Sequence, residues 1–100
     1  MRLTENQILA INQIAKVHFG NSVKVYLFGS RVDNNRKGGD IDLLIKSNKT
    51  TLLTLKNKIL FLIDLKSRIG ERKIDVVFDI KNKYSGNFLD SIKRQSVKLC

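Results

Sequence analysis

The stretch Asp40-Ile41-Asp42-Leu43-Leu44-Ile45-Lys46 decides the fold. Its apolar residues alternate with carboxylates at the start, which is the period of a half-buried β-strand. Ile41, Leu43 and Ile45 form the core face, and Asp40 and Asp42 share the other face. Residues two apart on a strand lie about 6.7 Å from each other on the same side. Two carboxylates so placed repel and weaken the end of the strand. A divalent cation between them removes that penalty, and hard cations such as Mg²⁺ prefer carboxylate oxygens.

Two further strands flank this one in sequence. Residues 23–28, Val-Lys-Val-Tyr-Leu-Phe, read as a strand with Val23, Val25 and Leu27 on one face. Residues 73–80 read as a third, with Ile74, Val76 and Phe78 facing the core and Asp75 facing away. If the second and third strands are neighbours, Asp40, Asp42 and Asp75 converge. Three such carboxylates can hold two metals about 3.5–4 Å apart, the arrangement that clamps the attacking and leaving oxygens of a displacement at phosphorus. The first strand runs into Gly29-Ser30-Arg31. A glycine leaving a strand lets the backbone approach a phosphate closely. Adjacent N–H groups and the Ser30 hydroxyl can cradle phosphate oxygens, and Arg31 adds a forked cation.

Helices fill the remaining segments. Thr4-Glu5-Asn6-Gln7 fits a capping box, with Ile8, Ile11 and Ala15 at helical spacing and Gly20 as the stop. Residues 50–69 form a long helix opened by Thr50 and closed by Gly70. Ser85 to about Gln95 gives a last helix, and Val97 to Leu99 is either a short strand or its continuation. Residues 29–39 read as a loop. The order is α-β-β-α-β-α with an optional final β. The fold class is α/β (α+β), a small mixed sheet with helices packed on one face. The helix-length crossover makes the second and third strands parallel or separated in the sheet.

The chain has 100 residues, 42% of them hydrophobic. One domain over residues 1–100 is expected, with about 65% of the unfolded surface buried. The longest apolar run, Ile59 to Ile63, is too short to span a bilayer. There is no apolar signal segment at the start, and the single cysteine, Cys100, excludes an internal disulfide. A reduced, cytoplasmic protein without a membrane is the expectation. Nineteen Lys and Arg against nine Asp and Glu give a net charge of +10. That charge attracts anions such as nucleic acid, nucleotide phosphates or an acidic protein, and it equally serves as a solubilising surface. Against it, the use of three of nine acidic residues at strand ends is selective.

Gly29-Ser30, nine residues, Asp40-Ile41-Asp42 and the later Asp75 together resemble the nucleotidyltransferase superfamily that includes DNA polymerase beta. Size and element order look like its smallest members, the minimal nucleotidyltransferases, often the antitoxin partners of HEPN-domain ribonuclease toxins. The resemblance covers about residues 23–99. It implies Asp40, Asp42 and Asp75 as catalytic residues and ligands of two Mg²⁺, with Asp75 nearest the attacking hydroxyl. It implies Gly29 and Ser30, with Arg31 less securely, as binders of the triphosphate of ATP. Larger relatives add a domain that holds the acceptor, and this chain is expected to lack one. The resemblance therefore implies a partner that supplies the acceptor, a tyrosine hydroxyl of a HEPN toxin receiving AMP.

Three other readings stand beside this one. The chain could neutralise its toxin by contact alone, without catalysis. It could modify a small molecule such as an aminoglycoside, against which the missing acceptor domain argues. It could bind nucleic acid, which the charge alone supports. Several residues read more plainly. His18 is structural or superficial, Cys100 is inert, Tyr26 and Tyr84 are packing or rim residues, and Asp79 is a simple exposed residue. The helix at 50–69 carries more Leu and Ile than one stripe needs. Most of these residues are expected in the core, with the surplus available to an oligomer or partner.

Overall fold

The computed structural model describes residues 3–28, 41–80 and 96–99. Helix α1, Glu5–Phe19, opens with the expected capping box. The Gln7 N–H donates to Thr4 Oγ1 at 3.1 Å, and the Thr4 N–H donates to Gln7 Oε1 at 2.9 Å. These bonds satisfy donors that a helix start leaves without partners. The helix ends at Gly20, whose φ of 95° is a conformation that side chains disfavour.

Strand β1, Lys24–Phe28, pairs antiparallel with β2, Ile41–Lys46. Strand β3, Ile74–Phe78, pairs parallel with β2. Strand β4, Val97–Lys98, pairs antiparallel with β1. The sheet order is β3-β2-β1-β4, so β2 and β3 are parallel neighbours joined by a helical crossover. This settles the alternative left by the sequence. The terminal segment is a strand, and the Leu99 N–H extends its ladder by donating to Val25 O at 2.8 Å. The helix expected at 85–95 lies outside the described residues.

The crossover helix starts later than the sequence suggested. Thr50–Leu52 form a single 3₁₀ turn, and helix α2 spans Leu55–Ile69. Thr54, not Thr50, is its N-cap, accepting the Asn57 N–H at 3.1 Å. The Asn57 side-chain amide donates to Leu52 O at 2.8 Å and ties the 3₁₀ turn to the new helix.

Both helices cover one face of the sheet. The core joins Ile11, Ala15 and Phe19 of α1, Phe61 and Leu65 of α2, and the inward residues Val25, Leu27, Ile41, Leu43, Ile45, Ile74, Val76 and Phe78. Phe19 meets Phe61 at 5.3 Å and stands edge-on to Phe78 at 5.5 Å, linking both helices to the sheet. Buried Ser47, just past β2, donates to the last carbonyl of α1, Phe19 O, at 2.8 Å and accepts the Lys49 N–H. The helices run antiparallel, since His18 meets Asp64 at 2.6 Å and Arg68 donates to Gln13 at 3.0 Å. No helix among the described residues is long and apolar enough to cross a membrane.

The apolar surplus of α2 is larger than expected. Phe61 and Leu65 are its buried residues, whereas Leu55, Ile59, Leu60 and Ile63 are exposed.

Candidate active site

The face of the sheet away from the helices holds the candidate site. Its position follows from the alternation that builds the core. Because Ile41 and Leu43 point to the helices, Asp42 between them points away. Because Ile74 and Val76 do the same on β3, so does Asp75. The parallel register then sets Asp42 directly against Asp75. Neighbouring strands lie about 4.8 Å apart, so the two carboxylates come within reach of one shared cation. Asp42 is half-buried and Asp75 is exposed. Asp75 is therefore open to an incoming group, and Asp42 is held against the sheet.

On its other side Asp42 is the register partner of Phe28. One row across three strands thus reads Phe28, Asp42, Asp75. The next row holds Tyr26, Leu44 and Val77, a small apolar cluster centred on fully buried Leu44. Beyond it lie the exposed lysines of the Lys24–Lys46 pair. Along β1 and β2 the face therefore passes from carboxylate through an apolar row to the lysine pair. Phe28 escaped the sequence reading as a neighbour of the site. The same alternation that buries Val25 and Leu27 would have found it.

Strand β1 ends at Phe28 and β2 begins at Ile41, both at the end of the sheet that carries the two aspartates. Of the expected site residues, the structure brings Asp42 and Asp75 together. Gly29, Ser30, Arg31 and Asp40 lie outside the described residues. Among the described residues no three His, Cys, Asp or Glu side chains cluster as a metal site. The donor chemistry of the pair nonetheless suits Mg²⁺. Both groups are carboxylates, they share a face, and like charges directly opposite each other across two strands are unfavourable until a cation lies between them.

The other titratable residues lie away from the two aspartates. His18, with Asp64, joins the two helices on the far side of the sheet, in the structural role read from sequence. Asp79, just past β3, is half-buried rather than exposed, and its N–H donates to Ile45 O at 2.9 Å. Tyr26 packs against Leu44 as a half-buried residue.

Comparison with known proteins gives the family and the fold. No curated protein matches the chain by sequence. A solved structure from Shewanella oneidensis matches with a TM-score of 0.70 and 17% identity, over 98% of this chain and 72% of that chain. At that identity the likeness is one of fold. The family described as polymerase beta, nucleotidyltransferase matches residues 10–100, which takes in both aspartates and all four strands. With this match over most of its length, the chain belongs to the polymerase beta nucleotidyltransferase family.

Proposed function

We propose that this protein transfers AMP from ATP to a hydroxyl of a partner protein, a tyrosine of a HEPN-domain toxin, and so acts as a cytoplasmic antitoxin. The observation that carries the reading is the register pairing of Asp42 with Asp75 on one face of the sheet, in a chain of this family. The two aspartates, with Asp40, would hold two Mg²⁺. The bound ions supply neutralisation of the triphosphate and of the oxygens that gain charge during displacement. Asp75, the exposed member, stands nearest the incoming hydroxyl and favours loss of its proton. Asp42, half-buried on a strand paired on both sides, fixes the geometry of the pair. Gly29 and Ser30 hold the phosphates, with Arg31 adding charge beside them. The acceptor oxygen forms its bond to the α-phosphorus, the bond to the bridging oxygen of the β-phosphate breaks, and pyrophosphate leaves.

The test is label transfer from α-labelled ATP with Mg²⁺, using the chain together with the protein that co-purifies from its host. Wild type should label the partner on tyrosine, located by mass mapping. The Asp42→Ala/Asp75→Ala variant should leave it unlabelled. An intact complex that neither version labels would overturn the catalytic reading and leave neutralisation by contact. Label on a small molecule would move the chain to the other enzymatic class.

A further inference from the structure

The exposed apolar residues are not scattered. All six large ones among the described residues lie on the two helices, Leu9 and Val17 on α1 and the other four on α2. On α2 they are organised. Leu55, Ile59 and Ile63 recur every four residues and so form one row along the helix, with Leu60 beside it. Leu55 is 69% exposed and Ile63 59%. None of the three is needed for the core, which takes Phe61 and Leu65 from the other side of the same helix.

The charges bordering this face are mainly cationic. Lys56 sits one helical turn before Ile59 and Leu60, and Lys66 one turn after Ile63. Asp64, the sole carboxylate of α2, borders the face one turn after Leu60, on the side toward α1, and is engaged by His18. The row is thus apolar along its length and cationic at both ends. A second copy of this chain is a poor occupant. Two such faces brought together would oppose lysine to lysine on molecules that each carry +10. A surface with an apolar ridge flanked by carboxylates is complementary in both respects.

We propose that the outward face of α2 is the landing surface for the protein acceptor, which presents an apolar helix flanked by Asp and Glu. This deepens the reading of a protein acceptor and rests on it. The arrangement divides labour between two faces of one small fold. The helix layer holds the partner, and the opposite face of the sheet carries the carboxylates.

The test measures binding without ATP, so that it succeeds or fails independently of catalysis. The probes are two fluorescent, helix-stapled peptides with the same leucine ridge, one flanked by Glu and the other by Lys. Anisotropy should show the Glu-flanked peptide binding the full chain and the Lys-flanked one binding at least about tenfold more weakly. Ile59→Ser/Ile63→Ser should weaken the Glu-flanked peptide by about tenfold or more, and so should Lys56→Glu/Lys66→Glu, with circular dichroism unchanged in both. Amide shifts should centre on residues 55–66. No binding of the Glu-flanked peptide, equal binding of both peptides, or binding untouched by the variants would overturn the proposal. So would sedimentation of wild type as a dimer that Ile59→Ser/Ile63→Ser dissolves, because the occupant would then be a second copy. Peptide binding of the expected kind with no label transfer would leave this surface standing and remove the catalytic reading alone.

Discussion

The two faces of the sheet are built from the same three strands by opposite rules. The near face, under α1 and α2, is apolar on every strand and closes around Phe19, Phe61 and Phe78. The far face sets two carboxylates against each other at one end and two lysines against each other at the other. Each choice on the near face lowers the free energy of the fold. Each of those pairs on the far face sets like charges opposite each other, an arrangement that opposes folding. The near face is therefore the account of stability, and the far face is where a stability cost marks a task other than folding.

The sharpest way to break this contrast is on the near face. Phe61→Ala removes a fully buried ring that touches Phe19, and it should cost about 3–5 kcal/mol in urea unfolding. A cost below about 1 kcal/mol would mean that this core does not hold the helices to the sheet. Ser47→Ala tests the joint between helix and sheet. It leaves the Phe19 carbonyl without its buried donor and should cost about 1–3 kcal/mol by the same measurement. Within the helix layer, Thr54→Ala should cost about 1 kcal/mol as the loss of an N-cap, whereas Thr50→Ala should cost far less. The reverse order would return the start of α2 to where the sequence placed it.

The far face predicts the opposite sign. Asp75→Asn removes one of two opposed carboxylates and should stabilise the metal-free protein by about 0.2–1 kcal/mol. Added Mg²⁺ should raise the Tm of wild type and leave that of the variant unmoved. If Asp75→Asn destabilises without Mg²⁺ and both proteins respond equally to the ion, the far face is ordinary surface.

Much of this was legible in the alternation of apolar residues. Val25 and Leu27, Ile41 through Ile45, and Ile74 through Phe78 each lie on the side that period two assigns, because every strand has one face buried. Thr4 and Gly20 likewise bound α1 as read, since both act through their own backbone neighbours. The start of α2 was not legible. Thr50, Thr51 and Thr54 all offer a capping hydroxyl, and Leu52, Leu53 and Leu55 blur the phase, so packing decides among them. Leu53 is buried, and the chain must turn before the helix can begin. The facing of Asp42 and Asp75 was conditional for a related reason. No tight turn joins parallel strands, so their register is set by how the crossover helix packs. The burden of apolar residues on α2 was visible, but its division between inside and outside was not. Leucines and isoleucines fill nearly the whole circumference, and composition alone does not say which of them the sheet covers.

The order of the strands has a consequence for the timing of motion. In the four described strands β2 has a hydrogen-bonded neighbour on each side, while β3 has β2 alone. Amide protons of β2 that bond to β1 should exchange with solvent only through opening of the sheet's centre, and those of β3 through smaller, more frequent excursions. Asp42 therefore rides on the slowest part of the protein and Asp75 on a faster one. The spacing of the two carboxylates should therefore last as long as the β2–β3 ladder holds, and fraying of that outer strand would dissolve the pair before the rest of the sheet.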